Sequence, residues 1–163
     1  MTPRPGVRFR VARRDDLQTI VEMMAAFERL LAAIDGSEST FDPDKALRRL
    51  QDFGFGERPL FTAALAEVDG KLIGYAIYSL AFWADSQEGI LFLTDIFMRE
   101  EWRSRGLGRE LMDHLAGVAK AAGCTRMLWT VWDKNPRAQR FYESLGASVM
   151  GDERLMSWTL DGK

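Results

Sequence analysis

The stretch R-E-E-W-R-S-R-G-L-G-R, residues 99–109, follows a nearly all-apolar run and holds two glycines among four arginines. A helix N-terminus presents unpaired backbone N–H groups and a positive dipole end, and glycines let an anion approach that backbone. Leu111 stands where a dinucleotide fingerprint needs its third glycine, and no Gly-Lys-Ser/Thr of a P-loop is present. We therefore predict a phosphate-binding turn; the alternative is a tight strand-to-helix turn with solvated arginines.

Strands and helices alternate on both sides of this turn, as the change between a two-residue and a 3.6-residue apolar period indicates. We predict strands over residues 7–11, 60–68, 72–83, 91–98 and 127–132, a short strand near Ala147, and a last strand carrying Met156, Trp158 and Leu160. Helices are predicted over residues 17–31, 43–51, 107–122 and 136–146. This order is typical of a single α/β domain, which we expect to span residues 1–163.

The composition excludes several classes of function. The chain has 163 residues, a hydrophobic fraction of 47% and a net charge of −2, which disfavours general nucleic-acid binding. One cysteine and one histidine cannot supply a structural zinc site, and no apolar run reaches membrane-spanning length. We therefore expect a cytoplasmic protein with no bound metal, no nucleic-acid partner and no membrane segment.

Two motifs, in this order, resemble those of the GNAT superfamily of acetyl-CoA-dependent N-acetyltransferases. R-S-R-G-L-G (residues 103–108) is similar to its R-x-x-G-x-G loop, and N-P-R-A-Q-R-F-Y-E-S-L-G-A (residues 135–147) is similar to N-x-x-A-x-x-F-Y-x-x-x-G-A. The stretches at residues 53–59, 73–76 and 93–97 resemble the diamine (spermidine/spermine) N-acetyltransferase subfamily in particular. The resemblance implies a mixed, mostly antiparallel sheet with helices on both faces, central strands splayed to hold the coenzyme, and a homodimer.

The resemblance also implies which residues bind acetyl-CoA as cosubstrate. Backbone N–H groups of the loop would hold the pyrophosphate, and the end of the preceding strand would pair with the pantetheine arm. A backbone N–H of that strand would stabilise the developing oxyanion. The residues so implied are Ile96, Phe97, Met98, Arg103, Ser104, Arg105, Gly106, Leu107, Gly108, Arg109, Asn135, Ala138 and Tyr142.

Two residues are candidates for catalysis. Tyr142 matches the family's general acid, which protonates the departing thiolate; a place on the aromatic face of the last helix is the alternative. The subfamily carries two adjacent acids on the central strand, whereas this chain has Thr94 and Asp95. A carboxylate in an apolar run is costly unless it is paired or used, so Asp95 is a general base, a substrate ligand or a structural group bonded to nearby backbone.

The resemblance implies an acceptor that is a primary amine of a small molecule: a diamine, a polyamine or a basic amino-acid-like amine. Thr94, Asp95, Glu28 and Asp85 are the candidate substrate-binding residues. Direct transfer in a ternary complex is expected, because Cys124 begins a strand far from the loop. An antibiotic, a peptide N-terminus or a protein lysine are alternative acceptors, and a non-catalytic acyl-CoA sensor is the alternative from another class.

Overall fold

The computed structural model describes residues 6–151 and 154–160, in two compact units, Met1–Thr130 and Val131–Lys163. The first unit holds nearly all regular structure. Its elements in chain order are β1 (Val7–Val11), α1 (Leu17–Asp35), α2 (Pro43–Phe55), β2 (Thr62–Val68), β3 (Lys71–Trp83), β4 (Glu88–Met98), α3 (Leu107–Ala121) and β5 (Cys124–Trp129). The second unit contains α4 (Pro136–Ser144). None of the described helices is both long and apolar enough to cross a membrane.

The five strands form one sheet in the order β1-β2-β3-β4-β5. The first four strands are antiparallel neighbours, and β5 lies parallel to β4. Asp69 and Gly70 join β2 to β3 with φ values of 48° and 79°, the left-handed conformation that a two-residue hairpin turn requires. The mixed, mostly antiparallel sheet predicted above is thereby confirmed.

Helices cover both faces of this sheet. On one face, Leu65, Tyr75 and Phe97 pack in a core cluster with residues of α1 and with Leu50 of α2. On the other face, the ring of Phe9 stacks on that of His114 of α3, with centroids 5.2 Å apart. Burial of these apolar side chains supplies the main driving force for folding. The two-faced arrangement agrees with the prediction.

The helix ends follow local sequence signals. The Asp42 carboxylate accepts a hydrogen bond from the Lys45 N–H at 3.0 Å, and Pro43 occupies the first position of α2. After α3, Gly123 adopts a φ of 76°. α2 extends to Phe55, four residues beyond the predicted end, because the apolar spacing continues through its last turn.

β4 begins at Glu88, three residues before its predicted start, and three other predicted strands also differ from the observed ones. β5 begins at Cys124, which pairs with Gly89, and ends at Trp129 rather than at residue 132. Two further strands were predicted, one near Ala147 and one at residues 156–160. The described residues of this region, 145–151 and 154–160, contain no strand. Met156 is 86% exposed and Trp158 is 88% exposed. A segment of alternating apolar residues forms a strand only when a neighbouring strand accepts and donates its backbone hydrogen bonds.

Candidate active site

The turn before α3 has the backbone geometry of an anion site. Gly106 precedes the helix with a φ of 80°, and Ser104 adopts a φ of 60°. Gly106 offers no side chain to cap the helix, and the Glu110 N–H makes the first helical bond to the Gly106 carbonyl at 3.1 Å. The N–H groups of the first turn of α3 thus carry the positive end of the helix dipole without a side-chain cap.

Two arginines of this turn pack against aromatic rings. Arg103 Nε donates to the Met98 carbonyl at 2.8 Å, and its guanidinium lies 5.2 Å from the ring centre of Phe97. The Arg105 guanidinium lies 5.1 Å from the ring of Trp102. Arg103 therefore ties the turn to the end of β4, and the backbone N–H groups at the start of the helix are suited to hold an anion.

β4 and β5 stop pairing before the end of β4. Their pairing runs from Gly89 to Leu93, whereas β4 continues to Met98 alongside β3. The Arg99 N–H donates to the Ile73 carbonyl at 2.8 Å, so strand alternation directs the backbone N–H of Ile96 to the edge that β5 has left. The central strands are splayed as predicted.

A β-bulge lies at the point where the strands separate. Ile77 pairs with Asp95 and Tyr78 pairs with Leu93, which leaves Thr94 as the extra residue of β4. The Thr94 hydroxyl donates to the Ile77 carbonyl at 3.1 Å. An ionised carboxylate at this position accepts hydrogen bonds only, so it could not make this bond. The threonine therefore secures the bulge.

Asp95 is mostly withdrawn from solvent and interacts directly with one phenol. Its Oδ2 accepts a hydrogen bond from the Tyr75 hydroxyl at 2.5 Å. Burial raises the pKa of the Asp95 carboxyl from 3.8 to about 6, although the bonds from Tyr75 and from the Ile96 N–H lower it and the charge of Glu28 raises it. Burial and the charge of Asp95 raise the pKa of Tyr75 well above 10, so this hydroxyl stays a donor.

The structure brings together only some of the predicted substrate residues. Glu28 on α1 influences the pKa of Asp95, and Thr94 precedes Asp95 on β4. Asp85 lies in the turn between β3 and β4, seven strand residues or more from Asp95. At about 3.3 Å per residue, that separation exceeds about 20 Å. Within this chain, Asp85 is not part of the cluster.

The predicted residues of the second unit lie on and beside α4. Asn135 caps this helix, because its side-chain oxygen accepts from the Ala138 N–H at 3.1 Å. Tyr142 lies on the helix in contact with Phe141, with ring centroids 5.3 Å apart. With this cap, α4 begins at Pro136, as predicted. Both aromatic residues of the motif lie on α4.

Sequence reasoning missed Tyr75. It lies on β3 with its side chain fully buried, 20 residues before Asp95, and reads as an ordinary aromatic strand residue. Pairing the two residues requires the strand register, since Tyr75 faces Phe97 and Asp95 faces Ile77. The single histidine, His114, packs against Phe9, and burial lowers its pKa, in agreement with a structural role.

Comparisons with known proteins agree with this geometry. A model of the acetyltransferase (GNAT) family matches residues 24–147. Thialysine N-epsilon-acetyltransferase of Mus musculus is 29% identical over 170 residues, covering 97% of this chain and 94% of that protein. Spermine/spermidine N(1)-acetyltransferase of Bacillus subtilis is 30% identical over 90 residues, covering 52% of this chain and 57% of that one. An integron cassette protein from the mobile metagenome of V. cholerae superposes with a TM-score of 0.75 at 26% identity, covering 94% of this chain and 93% of that chain.

The fold and the extent of the family match define the class: this chain belongs to the acetyltransferase (GNAT) family. Its curated relatives are N-acetyltransferases, one of them matching over nearly its full length. The chain is therefore an N-acetyltransferase. The thialysine and spermine/spermidine relatives agree with the resemblance to the diamine subfamily drawn from the motifs.

Proposed function

We propose that this protein transfers the acetyl group of acetyl-CoA to a primary amine of a small molecule, in a ternary complex of both substrates. The observation that carries the proposal is Asp95, a carboxylate with a pKa raised to about 6 on the splayed strand that leads into the phosphate turn. The acceptor classes are a diamine, a polyamine or a basic amino-acid-like amine. The thialysine and spermine/spermidine relatives support this choice.

Asp95 is proposed to act as the general base. A primary ammonium has a pKa of about 10, so a proton must leave before the nitrogen attacks the thioester carbonyl. A base with a pKa of about 6 is ionised at neutral pH and accepts that proton more readily than an ordinary aspartate. The C–N bond forms as the C–S bond breaks, and the sulfur leaves as a thiolate.

Tyr142 is proposed to protonate that thiolate. A phenol with a pKa of about 10 is protonated at neutral pH and is a suitable donor to sulfur. The family motif at residues 135–147 supports the assignment, and Asn135 and Ala138 are proposed to contact the coenzyme from the same motif.

The coenzyme's pyrophosphate is proposed to lie on the turn at residues 103–109, and the pantetheine arm beside residues 96–98 of β4. Acetyl-CoA supplies the thioester, and coenzyme A is the thiol that leaves. The residues present fit this group, because the start of α3 has no side-chain cap and the edge of β4 beyond Leu93 has no pairing with β5.

Gly106→Ala tests the turn. At a φ of 80°, alanine costs about 1 kcal/mol and shifts the N–H groups that face the phosphate. We expect the Kd for acetyl-CoA, measured by calorimetry, to rise about tenfold, which corresponds to about 1.4 kcal/mol. Gly36→Ala is the matched control, because Gly36 has a φ of 72° at the end of α1 with open space around it. It should lose similar stability with an unchanged Kd; equal Kd values for both variants would contradict the assignment.

Tyr75→Phe tests the environment of the base. Removing the hydroxyl removes a hydrogen bond that lowers the pKa of Asp95, so that pKa rises. Activity that needs ionised Asp95 is lost as pH falls through its pKa, so the acidic limb of the kcat/KM profile should move to higher pH. Tyr78→Phe removes a hydroxyl from the same strand and should leave this limb in place. An unmoved limb in Tyr75→Phe counts against Asp95 as the base.

The decisive experiment for the activity is a panel of amines assayed for thiol release across pH. The panel includes small amines, an aminoglycoside, a peptide N-terminus and a lysine peptide, so it separates the alternative acceptors. Acetyl-CoA binding without thiol release on any amine would identify a sensor instead of an enzyme.

We also propose that residues 1–163 act as one cytoplasmic N-acetyltransferase domain and that the protein is a homodimer. The exposed side chains of Leu155, Met156, Trp158 and Leu160, each at least 78% accessible, support a dimer because they alternate with polar residues in part of this segment. A second copy could cover such apolar surface.

A further inference from the structure

A pocket of about 370 Å³ opens in the first unit between α1, α2 and the strands β3 and β4. Most of its wall is apolar. The main apolar lining residues are Met24, Leu50, Phe53, Leu60, Phe61 and Ile77. The pocket is open to solvent on the side of Phe53 and Leu60, and its apolar walls suit an aliphatic or aromatic body.

The polar groups of this pocket are unusual for a site that takes a polycation. They are Arg49, Ser79 and Thr94, and none of the described residues that line the pocket is an acid. The Thr94 hydroxyl is engaged with the Ile77 carbonyl. The one charged side chain is Arg49, which lies 5.5 Å from the ring centre of Phe53. Arg49 is solvent-exposed and Phe53 is 40% exposed, so the pocket carries its one positive charge at its solvent-open side.

The pocket adjoins the proposed base. Thr94, which lines the pocket, directly precedes Asp95, and Ile77, which also lines it, is the strand partner of Asp95. An amine whose nitrogen lies at Asp95 has its carbon chain beside these residues. The far end of such a molecule then lies within the space that Arg49 borders.

We infer that the acceptor is a primary amine with a carboxylate at the far end of a short apolar chain, an inference that rests on the proposed acetyl transfer. The chain fills the apolar pocket, and the carboxylate pairs with the Arg49 guanidinium. A second ammonium at that end meets the like charge of Arg49 and finds no acid among the described lining residues. Among the proposed acceptor classes, the amino-acid-like amine is selected and the polyamine is rejected.

Three acceptors with the same six-carbon chain test this inference: 6-aminohexanoate, hexylamine and 1,6-diaminohexane. At saturating acetyl-CoA, kcat/KM from thiol release should be about tenfold higher for 6-aminohexanoate than for 1,6-diaminohexane, with hexylamine between them. Arg49→Glu should reverse the order of the two charged acceptors. Arg49→Gln should remove the advantage of 6-aminohexanoate over hexylamine.

The matched control is Arg48→Glu, which makes the same charge change one residue away on α2, outside the pocket lining. It should keep the order of the unaltered protein. The inference is overturned if the unaltered protein uses 1,6-diaminohexane at least as well as 6-aminohexanoate, or if Arg49→Glu keeps the original order. Failure of all three acceptors and of the whole amine panel overturns the acetyl transfer itself, and the inference with it.

Discussion

Tyr142→Phe is expected to lower kcat at neutral pH by about 100-fold while leaving the Kd for acetyl-CoA nearly unchanged. The reason is that the coenzyme thiolate leaves without a proton once the phenol is gone, whereas the ring and its packing against Phe141 remain. The measurement combines steady-state thiol release at saturating amine with calorimetric binding of acetyl-CoA. A loss confined to kcat locates the effect in the chemical step.

The control for this variant is Tyr78→Phe, which removes a hydroxyl from β3 instead of α4. It should keep kcat within about threefold of the unaltered protein, since the Tyr78 hydroxyl is bonded to Thr62 of β2 and not to a candidate catalytic residue. A loss below about threefold in Tyr142→Phe, with acetyl-CoA binding intact, would rule out the general-acid role. The aromatic pair would then have only a packing role in α4.

Asp95→Asn is expected to lower kcat/KM by about 100-fold at pH 8 and to abolish the acidic limb near pH 6. The amide is nearly isosteric with the carboxyl group and still accepts the hydrogen bond of Tyr75, but it cannot take a proton from the ammonium. The full pH profile of kcat/KM and the thermal midpoint of each variant are the measurements that check this.

Asp85→Asn is the matched control, since it makes the same chemical change at a residue in the turn between β3 and β4. It should leave both the rate and the acidic limb in place. A higher KM with unchanged kcat in Asp95→Asn would make Asp95 a substrate ligand only. A lower thermal midpoint with an unchanged pH profile would make it a structural residue.

Local signals were sufficient for several parts of the structure. The two-residue turn at Asp69 and Gly70, the cap at Asp42 and the glycine at position 106 act within a few residues of the chain, so the local sequence is enough to account for each. The family motifs at residues 103–108 and 135–147 likewise identified the class without any knowledge of long-range contacts.

Other features depend on partners distant in the sequence. The segment at residues 156–160 alternates like a strand, but the described chain offers it no neighbour. Asp85 carries the right charge, but the length of β4 holds it away from Asp95. The hydrogen bond between Tyr75 and Asp95 joins residues 20 positions apart through strand register.

The stretch at residues 99–109 determined by itself that a strand leads through glycines into a helix, because φ preferences and helix N-termini are local properties of the backbone. The tertiary structure alone determined which groups surround the candidate catalytic residue Asp95 and the pocket beside it. The register of β3 and β4 places Asp95 beside Tyr75, and the packing of α2 on the sheet brings Arg49 to the lining of an apolar pocket. Burial and charge arise from neighbours that folding assembles, so the pKa of Asp95 and the charge of the pocket are properties of the fold.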